Sequence, residues 1–165
     1  MKKVCLILVL TLSLGSFSQE KNPKENELNS FNEFKLNIGY LLFEFADFSY
    51  ERILNEESSV GISFGFSLDE TIDYKFGVIP FYRFYFGKKP AAGFFIEGNG
   101  ALFSEESITG NNEIGLGLGI AIGSKFLTKK NWIGEIVIGG GRSFVNEDII
   151  SEGYPRIGIS IGKRF

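Results

Sequence analysis

Apolar residues alternate with small or polar residues along most of this 165-residue chain, from Glu33 to Phe165. A period of two is typical of β-strands, whose successive side chains point to opposite faces of a sheet. Turn-forming residues interrupt the alternation at regular intervals and divide it into eight segments. The pattern predicts strands over residues 33–41, 45–54, 58–68, 71–87, 91–103, 112–127, 131–144 and 154–165.

The third segment shows the two faces clearly. One face carries Val60, Ile62, Phe64, Phe66 and Leu68, and the other carries only serine and glycine. The alternation slips between Phe45 and Phe48 in the second segment, and glycines dilute it in the fifth and seventh segments. These glycines are Gly98, Gly100, Gly134 and Gly140. We expect bulges or tight bends at both kinds of interruption.

Alternation alone leaves open which face points outward. A soluble lipocalin-like barrel would bury the apolar face, whereas a membrane barrel turns it toward lipid. The apolar faces together carry roughly forty bulky side chains, and ordinary side chains already fill the interior of an eight-stranded barrel. We therefore expect an all-β fold, an eight-stranded antiparallel up-and-down transmembrane β-barrel over residues 33–165. The alternative is a secreted soluble lipocalin-like barrel that binds a small apolar ligand.

Residues 1–18 predict a secretory signal peptide. Two lysines precede an apolar run over residues 4–14, and Ser16 and Ser18 fit the small positions before a cleavage site. The run is shorter than the roughly 20 residues that a helix needs to span a bilayer. We expect cleavage after Ser18 and a flexible polar lead over residues 19–32.

Composition argues against several classes of function. Two of the 17 basic residues and none of the 20 acidic residues lie in the signal, so the remaining chain carries a formal charge of −5. That balance argues against nucleic acid as a partner. The single cysteine, Cys5, lies in the signal, so we expect neither disulfides nor thiol chemistry. The chain has no histidine, the commonest general base, and we expect no enzyme activity and no cofactor.

Charged residues on the inner phase of the strands are the candidate functional residues. The charged residues that the alternation places on the inward face are Lys35, Asp47, Glu51, Asp73, Lys75, Arg83, Glu97, Lys125, Glu135, Arg156 and Arg164. Around the next turn, Arg83 is predicted to lie opposite Phe95 and diagonal to Glu97. In the same way, Lys125 is predicted to lie opposite Ile133 and diagonal to Glu135. Diagonal neighbours remain within reach of long side chains, so two cross-strand ion pairs are predicted.

An unpaired charge in a narrow lumen costs several kcal/mol, so pairing is expected. The predicted lumen charge network comprises Glu51, Arg83, Glu97, Lys125, Glu135 and Arg156. Its simplest role is a plug that fills and neutralises the interior. The alternative is a gate whose rearrangement opens a thin water path, which would make the protein a minor pore.

An even number of strands places both ends of the barrel domain on the periplasmic side. Periplasmic turns are predicted at residues 54–57, 87–90 and 128–131, and outward loops near residues 42–43 and at 69–70, 104–111 and 145–153. The last loop carries Glu147, Asp148 and Glu152, whose simplest role is solvation. The alternative role is to bind divalent cations that bridge to lipopolysaccharide phosphates.

Three segments resemble the small outer-membrane β-barrel domain proteins of Gram-negative bacteria. They are DFSYER at residues 47–52, PFYRFYFG at 80–87 and GFFIEG at 93–98. The resemblance covers residues 33–165 and implies an architecture similar to the transmembrane domain of OmpA-type proteins. It also implies an outer-membrane location, contact with membrane lipids and lipopolysaccharide, and a structural role in the envelope.

The last predicted strand ends on an aromatic residue. Its apolar face carries Ile157, Ile159, Ile161 and Phe165. The resemblance implies that the barrel-assembly machinery recognises this strand, so these four residues are the predicted assembly signal.

Overall fold

The alternating segments form eight antiparallel strands in the computed structural model, which describes residues 31–69, 71–87, 89–107, 110–146 and 150–165. The strands are β1 (Asn32–Asn37), β2 (Phe45–Ile53), β3 (Ser58–Ser67), β4 (Tyr74–Tyr85), β5 (Gly93–Glu106), β6 (Asn112–Leu127), β7 (Trp132–Ser143) and β8 (Gly153–Arg164). A short helix, α1 (Ile38–Leu41), follows β1. Each strand pairs with the next, and β1 pairs with β8. The predicted all-β, eight-stranded antiparallel barrel is confirmed.

The barrel has two different ends. The turn end holds the connections at residues 54–57, 86–92 and 128–131, together with the start of β1 and the end of β8. The loop end holds α1 and the connections at residues 42–44, 68–73, 107–111 and 144–152. The predicted signal peptide, almost all of the polar lead, and Glu147 and Asp148 of the last loop lie outside the described residues. Within the described ranges, no helix has the length and apolar character that crossing a bilayer demands.

Interior glycines make room for aromatic rings. A Cβ atom added to Gly61 would overlap the ring of Phe81, and one added to Gly123 would overlap the ring of Phe95. Both rings belong to side chains that are almost completely buried. Glycine on the inner face therefore lets a large ring lie close to the backbone of the neighbouring strand.

Three strand boundaries differ from the prediction by three or more residues, and one of them is the start of the fourth strand, which was expected at residue 71 and lies at Tyr74. The first strand was expected to run to residue 41, but β1 ends at Asn37 and the chain turns into α1. The Asn37 side chain explains the change, because its oxygen accepts hydrogen bonds from the backbone N–H groups of Tyr40 and Ile159. The fifth strand extends to Glu106 and not to residue 103, so the next loop is shorter than predicted.

The predicted bulge in the second strand is wrong. β2 and β3 pair without interruption from Phe45 to Ile53, and Phe45 shares the inner phase of Asp47 and Glu51. The pairing is also regular around the four strand glycines, which lie on the outer phase. The register shift occurs in β4, between Tyr74 and Phe76.

Candidate functional site: the barrel lumen

Ten charged side chains are buried in the lumen among the described residues. The acidic ones are Glu33, Asp47, Glu51, Glu97 and Glu135, and the basic ones are Lys35, Arg83, Lys125, Arg156 and Arg164. Their formal charges sum to zero. All belong to inner-phase positions, because alternation along each strand sends every second side chain inward.

Glu51 is the centre of the network. Its carboxylate accepts hydrogen bonds from Lys35 Nζ at 2.5 Å, Lys125 Nζ at 2.7 Å and Arg83 Nη1 at 2.9 Å. The hydroxyl groups of Tyr85 and Ser59 also donate to Glu51, at 2.5 and 2.6 Å. Three cations and two hydroxyl groups therefore surround one completely buried carboxylate.

Arg83 joins three carboxylates. Its guanidinium donates to Glu97 through Nε at 2.8 Å, to Glu51 through Nη1 at 2.9 Å and to Glu135 through Nη1 at 2.8 Å and Nη2 at 2.9 Å. The same group lies 4.4 Å from the ring centroid of Phe81 and 4.3 Å from that of Phe95. Such contacts combine forked hydrogen bonding with cation–π attraction, which a lysine cannot reproduce.

The network continues toward both ends of the barrel. At the turn end, Glu33 accepts hydrogen bonds from Lys125 Nζ at 2.7 Å and Arg164 Nε at 2.9 Å. Toward the loop end, Glu97 accepts one from Arg156 Nε at 2.7 Å. Nine of the ten buried charges are thus linked in one chain of ion pairs, and only Asp47 stands outside it.

One of the two predicted ion pairs is formed. Arg83 contacts Glu97, but the two residues lie directly opposite in the register and not on a diagonal. Lys125 likewise lies opposite Glu135, yet its ammonium crosses the lumen to Glu33 and Glu51, so the Lys125–Glu135 contact was predicted wrongly. Alternation predicts which residues are neighbours on adjacent strands. In a narrow lumen, long side chains from opposite sides of the barrel also contact each other.

Two assignments to the lumen need correction, and one buried residue was missed. Asp73 is exposed in the connection before β4. Lys75 follows the irregular start of β4 and pairs with Glu106 at 2.9 Å, where both side chains are partly exposed. Glu33 was missed, although it shares the phase of Lys35 two residues later, and that spacing was a usable signal.

The turn-end half of the lumen is filled with side chains. Phe81, Tyr85 and Phe95 are at most 3 % exposed and pack among the charges. Paired charges and aromatic rings together therefore occupy this half of the lumen, as side chains commonly do in eight-stranded barrels.

The loop-end half of the lumen contains a cavity of about 370 Å³. Its walls include the rings of Tyr40, Phe45 and Tyr74, and Ile79 also lines it. Tyr74 stacks on Phe103 with a centroid distance of 5.5 Å. The volume falls within the roughly 300–1,000 Å³ of typical small-molecule sites.

Asp47 lines this cavity and is 7 % exposed. Its Oδ2 accepts a 3.2 Å hydrogen bond from Asn37 Nδ2. Its Oδ1 is the buried side-chain oxygen that has no hydrogen-bond partner among the described residues. A buried polar atom without a partner is costly, which makes this oxygen a candidate ligand contact.

The described residues at the rim of the loop end form no recognised metal site. The backbone N–H of Thr71 donates to the Asp69 carboxylate at 2.8 Å, and this hydrogen bond lowers the pKa of Asp69. Asp69 therefore remains charged at neutral pH. No cluster of three or more carboxylate, histidine or cysteine side chains suited to a metal ion occurs in the described part of the chain.

The outer face is apolar and changes character along the barrel axis. Isoleucine and leucine dominate its middle, as along β6 from Ile114 to Ile122. Exposed aromatic residues surround the turn end, namely Phe31, Phe84, Phe86, Phe94, Phe126, Trp132 and Phe165. Sequence reasoning missed this ring, because its members become neighbours only when the barrel closes.

The residues of the predicted assembly signal all lie on the outer face. Ile157, Ile159, Ile161 and Phe165 are about half exposed, between 47 and 58 %. Comparison with known proteins finds no matching family model, no matching curated protein and no matching solved structure. Any role for this barrel therefore has to be argued from its own faces and its lumen.

Proposed function

We propose that this protein is an integral outer-membrane β-barrel with a structural role in the envelope, and that its charge network plugs the lumen. The distribution of side chains between the two faces carries the proposal. Ten charged side chains are buried inside, whereas 31 large hydrophobic side chains of the described residues are exposed, most of them on the outer face of the strands. Water would solvate the opposite arrangement better.

The aromatic ring at the turn end supports the same proposal. Membrane barrels have an apolar band about 25 Å tall that is flanked by aromatic side chains at the lipid–water interface. The ammonium of Lys163 lies 5.2 Å from the centroid of the Trp132 ring, as expected where a long cation reaches the interface. Seven of the eight strands have between 9 and 16 residues, against the roughly 9–11 that a tilted strand needs, and the shorter β1 has 6 and leads directly into α1.

This location implies the partners of the barrel. Membrane lipids and lipopolysaccharide cover the apolar band. During biogenesis, the barrel-assembly machinery binds the last strand, where Ile157, Ile159, Ile161 and Phe165 present an apolar stripe. The alternative, a secreted lipocalin-like barrel, draws its support from the loop-end cavity but would leave the apolar band in water.

A single outward lysine distinguishes the two proposals. Ile120 lies near the middle of β6 and is 73 % exposed. In a membrane, Ile120→Lys places a charge near the bilayer centre at a cost of about 2–4 kcal/mol. In a soluble barrel, the same change removes exposed apolar surface and improves solubility. Leu42→Lys is the matched control, because Leu42 is exposed in the connection after α1.

The measurement is refolding into lipid vesicles, followed by gel mobility with and without boiling. We expect wild type and Leu42→Lys to give a band that shifts on boiling, and Ile120→Lys to lose most of that folded band. Wild-type protein that leaves washed membranes without detergent, with an Ile120→Lys variant that folds better in buffer, would contradict the proposal. The plug is tested by planar-bilayer recording, in which wild type should give no stable ion current.

A further inference from the structure

The loop-end cavity combines an apolar enclosure with one unsatisfied acceptor. The rings of Tyr40, Phe45 and Tyr74 form much of its wall, and Asp47, whose Oδ1 has no hydrogen-bond partner among the described residues, also lines it. The other carboxylate on the wall, Glu105, is satisfied, since Ser151 donates to it through Oγ at 2.7 Å and through its backbone N–H at 3.2 Å. Among the described residues, one hydrogen-bond donor is therefore missing at the Asp47 carboxylate.

The charges around the cavity indicate what kind of donor fits. The nine linked charges comprise five basic and four acidic groups, and Asp47 supplies the balancing negative charge beside Arg156. The Arg156 guanidinium is itself directed to Glu97 and Ser63. A charged ligand would leave the charges around the cavity unbalanced, whereas a neutral donor preserves the balance.

We propose that the loop-end cavity binds a small neutral molecule with a ring-sized apolar body and a hydroxyl group that donates to the Asp47 carboxylate. The aromatic walls bury the body, and the hydrogen bond orients it. Binding at this site does not require a path through the plug, because the cavity lies on the loop-end side of the charge network. It is also independent of whether lipid or water surrounds the barrel.

The test uses four probes of nearly equal size: 4-fluorobenzyl alcohol, 4-fluorotoluene, 4-fluorobenzylamine and 4-fluorobenzoate. Fluorine NMR follows each probe during titration with the refolded barrel in detergent. Ile79→Trp fills the cavity and serves as the blank for partitioning into micelles, because Ile79 lines the cavity. We expect the alcohol to bind wild type roughly tenfold more tightly than the toluene, and the charged probes to bind more weakly than the alcohol.

Asp47→Ala is the decisive variant. It should still bind the toluene, while the preference for the alcohol falls to within about twofold. If this variant gives no folded band, Asp47→Ser replaces it, because its hydroxyl retains a partner for Asn37. The proposal is overturned by an equal preference for the alcohol in wild type and variant, by tighter binding of the amine, or by binding that survives Ile79→Trp.

Discussion

Glu51 and Asp47 lie on the same strand, point to the same face and are four residues apart, yet their surroundings are opposite. Glu51 accepts hydrogen bonds from five side chains, and Asp47 from one. The neighbours explain the contrast, because cations from four strands converge at the turn end, whereas aromatic rings dominate at the loop end. We therefore expect the saturated carboxylate to stabilise the barrel, and we propose the unsaturated one as a ligand contact.

The largest effect is expected from breaking the saturated site. Glu51→Gln removes the charge that Lys35, Arg83 and Lys125 share, so uncompensated cations remain buried. We expect the free energy of unfolding to fall by about 3–5 kcal/mol. Urea unfolding in lipid vesicles, followed by fluorescence of Trp132, measures the change.

Glu57→Gln is the matched control, because Glu57 is exposed in a turn-end connection. Its unfolding free energy should stay close to that of wild type. A Glu51→Gln barrel as stable as this control would show that the network contributes packing and not charge pairing.

A smaller effect is expected when the charge is kept and the shape is changed. Arg83→Lys retains a cation but loses the forked hydrogen bonds and the contact with the rings of Phe81 and Phe95. We expect a loss of about 1–2 kcal/mol in the same unfolding experiment. Arg52→Lys is the control, because Arg52 is exposed and donates to Asn32 at 3.1 Å. Equal losses for both variants would contradict a specific role for the Arg83 guanidinium.

At the unsaturated site, neutralisation should leave stability nearly unchanged. Asp47→Asn leaves Arg156 without its balancing charge, but it also removes a buried carboxylate oxygen that has no partner among the described residues. These two effects offset each other, so we expect a change within about 1 kcal/mol. Thermal unfolding of wild type, Asp47→Asn and Glu51→Gln side by side makes the comparison direct. A loss as large as that of Glu51→Gln would mean that Asp47 is part of the structural plug.

The smallest effect is expected outside the lumen. Lys75 and Glu106 are 2.9 Å apart, but their side chains are 25 % and 42 % exposed. Lys75→Ala should cost about 0–1 kcal/mol, and added salt should reduce that cost further. A salt-independent loss comparable to that of Arg83→Lys would contradict the distinction between buried and rim pairs.

Alternation was sufficient to predict the strands, the closed barrel and most of the buried charges. The register between strands was predicted less well. Arg83 and Lys125 each lie opposite a residue two positions further along the chain than expected. A shift of two preserves the face and changes only the partner. The start of α1, the irregularity at Tyr74 and the contacts across the lumen depend on packing between distant segments, which a period-two pattern does not contain.

The pairing of β1 with β8 has a consequence for how the barrel folds. Glu33 and Lys35 lie on the first strand, and Arg156 and Arg164 on the last, so the charge network is complete only after the two edges have met. Before closure, the inward charges remain accessible to water and incur no penalty for being unpaired. Folding should therefore be all-or-none in its final step, with the edges joining late and the ion pairs forming together.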